Sequence, residues 1–446
     1  MTEPAPRPIN NSDGEEFEDL GSEDSSDDDG SEDYNSEDRA FIAERSDDDA
    51  SSSDYDESDY EMAYSGSDDS EIEIDVAKVK EESNTLVINT SDKFIDGFRA
   101  ATVLAKKNAV SVFMMEDQPR SGPALTEISK VLFENQRPEV MYLNNLSLLH
   151  GNVVDLAKHL SSSGGGSRLT TLHIKKNQFD VEGATTIVGA LAPFNVLERL
   201  DFSQCWLGKG SFSPMLSSLA GIDTFTTLVL SKVSLSEVNA VRVARFAAKS
   251  RHLTHLDVSA NELMDSGTSA IVSAVTNSPS IKTLILYGNN LREHTGLLNV
   301  LLTKNKVLQE LDLSSMELHG KEVAGAMKAL EKTNTTLTRL CLNRSTDVDT
   351  VLEPLKRVLR SNGTLSVVEL HHTGLFEQYK LSLMRYIMAS TSLTSLGFKV
   401  TAAVEKHFAR NRELLARKKQ TLFALSLQKF WAAVLLPRSP KYIRID

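Results

Sequence analysis

An eleven-residue pattern that recurs about every 28 residues constrains the fold of this chain more than any other feature of its sequence. The pattern carries apolar residues at places 1, 4, 6 and 11, as in LTTLHIKKNQF from Leu169 and LTHLDVSANEL from Leu253. Its nine copies start at residues 169, 197, 225, 253, 281, 308, 337, 365 and 393, with intervals of 27 to 29 residues, and the last copy is truncated to LTSLGFKV. A steady period of this length indicates a repeat protein, because no single unit can bury its own apolar face.

Two weaker copies precede the regular series, one from Pro138 (PEVMYLNNLSL) and one from Val110 (VSVFMM). In each regular copy, places 4 and 6 form an L-x-L segment typical of a short strand. The two apolar side chains point inward, and the residue between them points outward. The nine regular copies predict nine neighbouring strands, which at a spacing of about 4.8 Å give a sheet face about 40 Å long.

Place 9 of the pattern should hold a polar or small side chain that closes the turn by bonding to backbone groups. Asn177, Asn261 and Asn289 occupy this place, and Cys205 is a usual substitute for asparagine. Other copies depart from this rule, and their turns must be closed in another way. The residues at place 9 in these copies are Val233, Met316, Ser345 and Thr373.

Helical patterns fill the intervals between the predicted strands. In residues 266–278 and 320–334, for example, apolar residues recur every three or four positions, which is typical of an amphipathic helix. With a strand and a full α-helix in each unit, the chain resembles the ribonuclease-inhibitor-type class of leucine-rich repeats. The resemblance covers about 260 residues and implies an α/β fold, a horseshoe-shaped leucine-rich-repeat solenoid. Because such solenoids serve many partners, the fold alone does not indicate the function.

Charge divides the chain into regions of opposite sign. Residues 1–83 contain 31 acidic and 5 basic residues, a net charge of −26, whereas residues 84–446 contain 43 basic and 31 acidic residues, a net charge of +12. The first region cannot bury enough apolar surface to offset its chain entropy, so we predict a disordered acidic tail at 1–83. We expect the repeat solenoid at 84–401 and a basic helical cap and tail at 402–446. The helix should run from about Ala403 to Leu436, with its apolar half covering the last repeat.

Several serines of the acidic tail have an acidic residue three positions later, a pattern that suits an acidophilic Ser/Thr kinase. The candidate phosphorylation sites are Ser25, Ser26, Ser46, Ser53 and Ser58. Each phosphate would add nearly two negative charges, which would strengthen a regulatory role in which the tail shields the basic C-terminal region. The alternative is a tail that only keeps the protein soluble.

Several classes of function find no support in the sequence. The two cysteines give no disulfide framework, and the N-terminus lacks the basic and apolar regions of a secretory signal. The sequence contains no apolar run of the ~20 residues that span a bilayer, no zinc-ligand spacing and no phosphate-binding glycine motif. The glycine-rich stretch at 161–167 is interpreted as an insertion before a repeat. We therefore expect an intracellular protein, cytoplasmic or nuclear, that is not an enzyme and has no cofactor, no metal and no membrane partner.

The concave sheet face is the predicted binding surface, because places 3, 5 and 7 point away from the helices. Place 5 carries an acidic row, namely Asp201, Asp257, Asp312 and Glu369. Paired carboxylates can perform acid–base chemistry, but an open sheet does not enclose a substrate, so we favour either partner binding or a merely solvated face. Cys341 also occupies place 5 and is expected to be a solvent-facing thiol without an activating neighbour.

Aromatic and arginine side chains are the usual anchors of protein interfaces. We therefore single out Tyr142 and Tyr287, with Ile285 expected to be exposed beside the second; in the alternative interpretation, Tyr287 only covers neighbouring strands. The full set of predicted partner-binding residues is Tyr142, Arg199, Asp201, His255, Asp257, Ile285, Tyr287, Asp312, Arg339 and Glu369. The partner is expected to be another protein.

The end of the repeat region, TSLTSLGFKVTAAVEKHFARNRELLARKKQ, suggests one particular partner. Its last repeat leads into a basic helix, and the residues that define this outline are Leu396, Gly397, Phe398, Arg410, Asn411, Leu414, Arg417 and Lys418. In these residues it resembles the close of the tropomodulin and leiomodin repeat domain. The resemblance covers about 30 residues and implies binding to actin at the pointed end of the filament.

Other partners are also compatible with the sequence. The combination of such repeats with an acidic tail resembles the Ran GTPase-activating proteins and implies a small GTPase as partner. The 48 residues from Lys399 onward carry 11 basic and 3 acidic residues, but they lack interleaved aromatic residues, so we do not expect nucleic acid as the partner. The short strings 71–75 and 86–88 would each suit addition of a strand to a partner's sheet edge.

Overall fold

In the computed structural model, the L-x-L segments of the repeats form neighbouring strands of one parallel sheet. The structure describes residues 85–88, 110–117, 122–136, 138–162, 168–179, 181–208, 210–261, 263–292, 296–316, 318, 320–344, 348–371, 375–396 and 400–435. These residues all belong to one unit, Glu73–Asp446. The acidic tail with its candidate serines, the string 71–75 and most of the glycine-rich insertion lie outside the described residues.

Eleven strands form this sheet, and they lie side by side in chain order. The strands are β1 Thr85–Ile88, β2 Val112–Glu116, β3 Val140–Asn144, β4 Thr171–His173, β5 Arg199–Asp201, β6 Thr227–Val229, β7 His255–Asp257, β8 Thr283–Ile285, β9 Glu310–Asp312, β10 Arg339–Cys341 and β11 Val367–Glu369. All neighbouring pairs are parallel, and equal places of successive repeats lie opposite each other, as with Leu200, Leu228 and Leu256.

The prediction of nine strands was therefore wrong in number. The two early copies supply β2 and β3, and in its described residues the truncated last copy forms a bridge between Ser395 and Val367 instead of a strand. The string 86–88, interpreted as a possible strand for a partner, instead pairs with β2 of its own sheet through Leu86 and Phe113. Its apolar residues are thus part of this chain's core, since Leu86 is buried.

Helices follow most of the strands, as the apolar periodicity predicts. They are α1 Gly122–Val131, α2 His150–Ser162, α3 Val181–Leu191, α4 Phe212–Leu219, α5 Glu237–Lys249, α6 Met264–Thr276, α7 Leu297–Lys304, α8 Gly320–Lys332, α9 Val348–Ser361, α10 Leu375–Ala389 and α11 Ala402–Leu435. A π-helical turn, Leu132–Gln136, extends α1, and a short 3₁₀ turn, Ala192–Phe194, ends α3. Each helix from α1 to α10 packs against the next along the chain.

The core lies between the sheet and the helices. Places 4 and 6 of each strand are buried, as with Leu172 and Ile174, and they meet helix residues such as Ile187 and Val188 of α3. Each leucine or isoleucine that is removed from water contributes about 2 kcal/mol. The three-residue strands cannot exist alone, so every repeat depends on the repeats at its two sides.

A left-handed residue follows the strand in successive repeats and reverses the chain. In the described regular repeats, residues at place 8 have φ values from 54° to 68°, and Gly288 is the one glycine among them. The other residues at this place are Lys176, Gln204, Lys232, Ala260, Ser315 and Arg344. Because this conformation costs a non-glycine residue roughly 1–2 kcal/mol, the turns need strong hydrogen bonds to hold them.

The asparagines at place 9 supply those bonds, as the sequence predicts. We call this series of side chains the asparagine ladder. Asn261 donates through Nδ2 to the carbonyl oxygens of Leu230, Val258 and Ser259. Its Oδ1 accepts from the backbone N–H groups of Val233 and Leu235 in the preceding repeat, at 2.8 and 3.2 Å. This contact closes the turn of a repeat that lacks its own asparagine at place 9.

A second ladder, which the sequence analysis did not find, lies at the helix ends. An asparagine or serine stands three residues before place 1, and its side-chain oxygen accepts from the backbone N–H at place 1. The asparagines also donate to a carbonyl oxygen near the end of the helix in the preceding repeat. Asn334, for example, donates to the carbonyl oxygen of Leu302 at 2.8 Å and accepts from the backbone N–H of Leu337 at 2.9 Å. The other members are Ser250, Ser278, Asn305, Asn362 and Ser390.

Helix α11 ends the repeat array, close to its predicted bounds. Val404 and Phe408 are buried against the last repeat, and Asn411 donates to the carbonyl oxygens of Ser390 and Leu393 at 3.0 and 2.8 Å. The capping contacts thus come from the first three turns of the helix. The prediction that its apolar half covers the last repeat was wrong. No helix in the described residues is long and apolar enough to cross a membrane.

Candidate binding surface on the sheet face

We call the surface formed by places 3, 5 and 7 of the strands the sheet face. The ten residues that were predicted to bind a partner all lie in these strands or, for Tyr287, two positions after β8. Eight of them fall into three groups along the sheet, a charged cluster at β4–β5, a mixed region at β7–β8 and a second charged cluster at β10–β11, while Tyr142 lies in β3 and Asp312 in β9. The alternation along the strands predicts that all ten side chains are exposed, but the structure buries some of them and exposes others.

The first group, the Asp201 cluster, is a network of charges around one carboxylate. Oδ2 of Asp201 lies 3.2 Å from Nζ of Lys175, 3.2 Å from Nδ1 of His173 and 3.9 Å from Arg199. Its Oδ1 accepts from both the backbone N–H and the hydroxyl of Ser203. Burial alone would raise the pKa of Asp201, but these hydrogen bonds and the charge of Lys175 outweigh it and hold the pKa well below its usual range.

The sequence predicts that Asp201 belongs to an exposed acidic row on the sheet face. This prediction was wrong for Asp201, which is buried. Only 2% of its surface is exposed, and the side chains of His173, Lys175 and Arg199 lie against its carboxylate. A partner would therefore meet Lys175 and Arg199, which remain partly exposed, before it met the carboxylate. The accessible charge of this cluster is basic.

His173 is a residue of this surface that sequence reasoning missed. The ring of Tyr142 stacks on it, with ring centroids 4.6 Å apart and an interplanar angle of 4°. The register explains the contact, because Tyr142, His173 and Asp201 are direct neighbours at place 5 of β3, β4 and β5. Reading place 5 across successive repeats would have found the group.

Two aspartates at the same place allow a matched test of these electrostatics. Asp257, like Asp201, accepts from the N–H of the serine two residues later, at 2.9 Å, but burial raises its pKa. A carboxyl whose pKa is lowered by folding stabilises the fold above its unfolded pKa of about 4, and this contribution is lost as the pH falls. A raised pKa has the opposite sign, so ionised Asp257 costs stability at neutral pH.

We therefore expect Asp201→Asn to lower the unfolding free energy by about 2 kcal/mol at pH 7, since hydrogen bonds to charged groups contribute about 1.5–3 kcal/mol. The difference between the parent and the variant should begin to shrink below about pH 4, the unfolded pKa, and keep shrinking as the pH falls toward the lowered pKa of folded Asp201. Asp257→Asn, the control, should be at least as stable as the parent at pH 7. Urea unfolding at a series of pH values measures both changes. Equal destabilisation by the two variants would contradict the assigned pKa shifts.

The middle of the sheet face combines apolar and titratable groups. Ile285 is half-buried rather than exposed, whereas Tyr287 beside it is 43% exposed. His255 and Asp257 occupy the neighbouring strand and interact electrostatically, and burial lowers the pKa of His255. This region therefore offers an exposed aromatic ring next to groups that are already partly desolvated.

The second charged group, the Glu369 cluster, joins β10 and β11. The guanidinium of Arg339 bonds to Oε1 of Glu369, and Asn343 donates to Oε2 at 3.2 Å. Cys341 lies beneath this bridge and is 4% exposed, so the prediction of a solvent-facing thiol was wrong. Burial raises the pKa of Cys341 to about 12, against the opposing effect of its hydrogen bond with Arg339, and the thiol therefore stays protonated at neutral pH.

The remaining predicted residue, Asp312, has a local structural contact. Its Oδ1 accepts from the N–H of Ser314 at 2.8 Å, which repeats the bond that Asp201 and Asp257 make with Ser203 and Ser259. The D-x-S spacing in these three repeats was the sequence signal for this contact. In the described part of the chain, no group of three or more His, Cys, Asp or Glu side chains is placed to hold a metal ion.

The parallel sheet, the strand–helix units and the asparagine-locked turns define a leucine-rich-repeat fold. No protein-family model matches the chain. It is similar to the mouse (Mus musculus) protein "NACHT, LRR and PYD domains-containing protein 4E", with 24% identity over 274 residues, which are 60% of this chain and 28% of that protein. The chain thus spans well under half the length of this relative.

Among solved structures, the chain is similar to "Leiomodin-1 Actin-Binding Site 2 (ABS2)". The sequence identity is 15%, the TM-score is 0.28, and the match covers 42% of this chain and 95% of the other. A TM-score this low does not support an argument about function. Neither comparison identifies a partner of this chain.

Proposed function

We propose that this chain is a non-enzymatic scaffold that binds a partner protein on the sheet face. One observation carries the proposal, namely the exposed ring of Tyr287 between two clusters that present arginine and lysine side chains. Interfaces are enriched in tyrosine and arginine, and the strongest contacts lie near their centre with a polar rim around them. On the sheet face, the exposed ring of Tyr287 lies between the two charged clusters, which matches a central anchor with a polar rim.

The size of the surface supports the same proposal. Eleven strands at a spacing of about 4.8 Å extend over about 48 Å. A stable protein–protein interface needs about 800 Å² on each partner, which such a face can supply. The clusters at β4–β5 and β10–β11 are five strands apart, so one globular partner would contact both.

Substitution of Tyr287 tests this function directly. Affinity capture from an extract of the source cells would compare the parent chain with Tyr287→Ala. Loss of an aromatic anchor typically costs about 2 kcal/mol or more, so the captured partner should fall by at least about 30-fold in affinity. Since the ring is 43% exposed, the melting temperature should change little.

The matched control is Val238→Ala, which removes an exposed apolar side chain from α5 on the helix side of the repeats. It should capture the same partner as the parent chain. If Tyr287→Ala captured the partner as well as Val238→Ala does, the binding surface would have to lie elsewhere.

We assign the acidic tail a regulatory role through charge. A segment with a net charge of −26 beside a region with a net charge of +12 alters the field that a charged partner meets during encounter. Phosphorylation of the tail serines would deepen that effect. In the same capture experiment, residues 84–446 should bind an acidic partner faster than the full chain, and added salt should reduce the difference.

Actin is a second candidate partner, favoured by the residues that resemble the close of the tropomodulin and leiomodin repeat domain. Of these residues, Asn411 is used inside the fold to end the repeat array. Arg410, Leu414, Arg417 and Lys418 are exposed on α11 and remain available to a partner. Purified actin is therefore the first defined partner to include in the capture experiment.

A further inference from the structure

The second half of α11 carries large apolar side chains on its surface. Leu422, Phe423, Leu425 and Leu427 are all exposed, and Phe423 reaches 64%. These residues lie beyond the three turns that contact the last repeat. A contiguous apolar surface of this kind on a helix marks a place where another molecule binds.

The directions of these side chains limit what can cover them. An α-helix turns by about 100° per residue, so Leu422 and Leu425 point to one side of α11, whereas Phe423 and Leu427 point to another side, about 150° around the helix. A membrane surface or a second copy of the helix would cover one side and leave the other in water, because interfacial helices need a single apolar face. The occupant must therefore enclose the helix.

The spacing of the apolar residues suits anchors in a groove. Phe423 and Leu427 are separated by four positions and therefore lie on the same side of the helix, and the sequence places Phe430 seven positions after Phe423. Leu422 and Leu425, three positions apart, form a second pair on another side. Helices that bind in apolar grooves use anchors at these spacings.

Charge further defines the occupant. Residues 410–429 contain six basic residues and one acidic residue, a net charge of +5. Lys418 and Lys419 are exposed, whereas Arg417 is paired with Glu413 at 2.6 Å. Two copies of this helix would repel each other, so the charge favours an acidic partner.

We propose that residues 410–435 are the binding helix for an acidic, two-lobed EF-hand calcium sensor. On binding Ca²⁺, sensors of this class open and expose apolar grooves rich in methionine. Two such lobes can close around a basic helix and cover the separate apolar sides of α11. The site is independent of the sheet face, and it would make one interaction of this scaffold dependent on calcium.

The test uses the full chain and calmodulin as the probe, with isothermal titration calorimetry in Ca²⁺ and in EGTA. We expect saturable one-to-one binding in Ca²⁺ and none in EGTA. The double variant Phe423→Glu/Leu427→Glu should weaken binding by at least about 30-fold, as expected for the loss of apolar anchors. Both side chains are exposed, so this variant should melt like the parent.

Two controls separate this site from the rest of the molecule. Val238→Glu introduces one negative charge on α5 at an apolar residue that is 62% exposed, close to the 64% of Phe423, and it should bind calmodulin like the parent. Tyr287→Ala should also bind it normally, so failure of the sheet-face function would not affect this result.

Several results would overturn the proposal. Binding that persists in EGTA or in the double variant would do so. If the full chain did not bind calmodulin but bound phosphatidylserine vesicles, and the double variant lost this vesicle binding, the helix would be assigned to a membrane surface. A dimer in sedimentation velocity that the double variant abolishes would assign it to a second copy of the chain.

Discussion

Replacing Leu256 by aspartate is expected to unfold the repeats together rather than the single repeat that carries the change. Leu256 is fully buried in β7, between Leu228 of β6 and Leu284 of β8. An unpaired charge at this position costs several kcal/mol. Domains are stable by only about 5–15 kcal/mol in total, so the loss is large. Because each repeat is held by its neighbours, the helices on both sides should be lost with it.

Thermal unfolding followed by far-ultraviolet circular dichroism measures this effect. The control, Leu149→Asp, makes the same chemical change at a leucine that is 72% exposed, and it should melt like the parent chain. If Leu256→Asp lost only a small fraction of the helical signal, the repeats would be independent units, contrary to the packing described above.

Replacing Asn261 by alanine should have the second largest effect, about 4 kcal/mol. The side chain makes five hydrogen bonds to buried backbone groups of two repeats. Each buried group left without a partner costs about 1–3 kcal/mol, although some of the groups will relax toward other partners. The change also frees a turn that contains Ala260 in the left-handed conformation.

Cys205 provides the matched control, since it stands at the same place of another repeat. Its Sγ donates to the carbonyl oxygen of Ile174 at 3.0 Å, and a thiol is a weaker hydrogen-bonding group than the amide of asparagine. Cys205→Ala should therefore cost much less than Asn261→Ala when both are measured by urea unfolding. If the two variants lost a similar unfolding free energy, the hydrogen bonds of the Asn261 amide would not determine the stability of its turn.

Much of the fold could be predicted from the sequence, because the apolar period specifies both strands and helices. The failures occur where the period is incomplete. Strand β1, Thr85–Ile88, lacks the full pattern, and only its pairing with β2 reveals it as part of the sheet. The truncated copy from Leu393 keeps its buried leucines but forms a bridge instead of a strand.

The binding surface could be predicted less well than the fold. Alternation along a strand gives the direction of a side chain, but it does not say what neighbouring strands place above it. Asp201 and Cys341 both point to the predicted face, yet long basic side chains from adjacent positions cover them. The stacking of Tyr142 on His173 likewise depends on residues 31 positions apart, which only the register brings together.

The bonds of Asn411 determine where the array stops. In the repeats, the asparagine three residues before place 1 bonds to the end of the preceding helix, as Asn362 does to Leu330 and Asn334. Asn411 donates in the same way to the carbonyl oxygen of Ser390, although it lies within α11. Helix α11 therefore occupies the position of a further repeat but supplies no strand to the sheet. Together with the buried side chains of Val404 and Phe408, this amide covers the end of the last repeat, where an uncovered edge would be open to pairing with another chain.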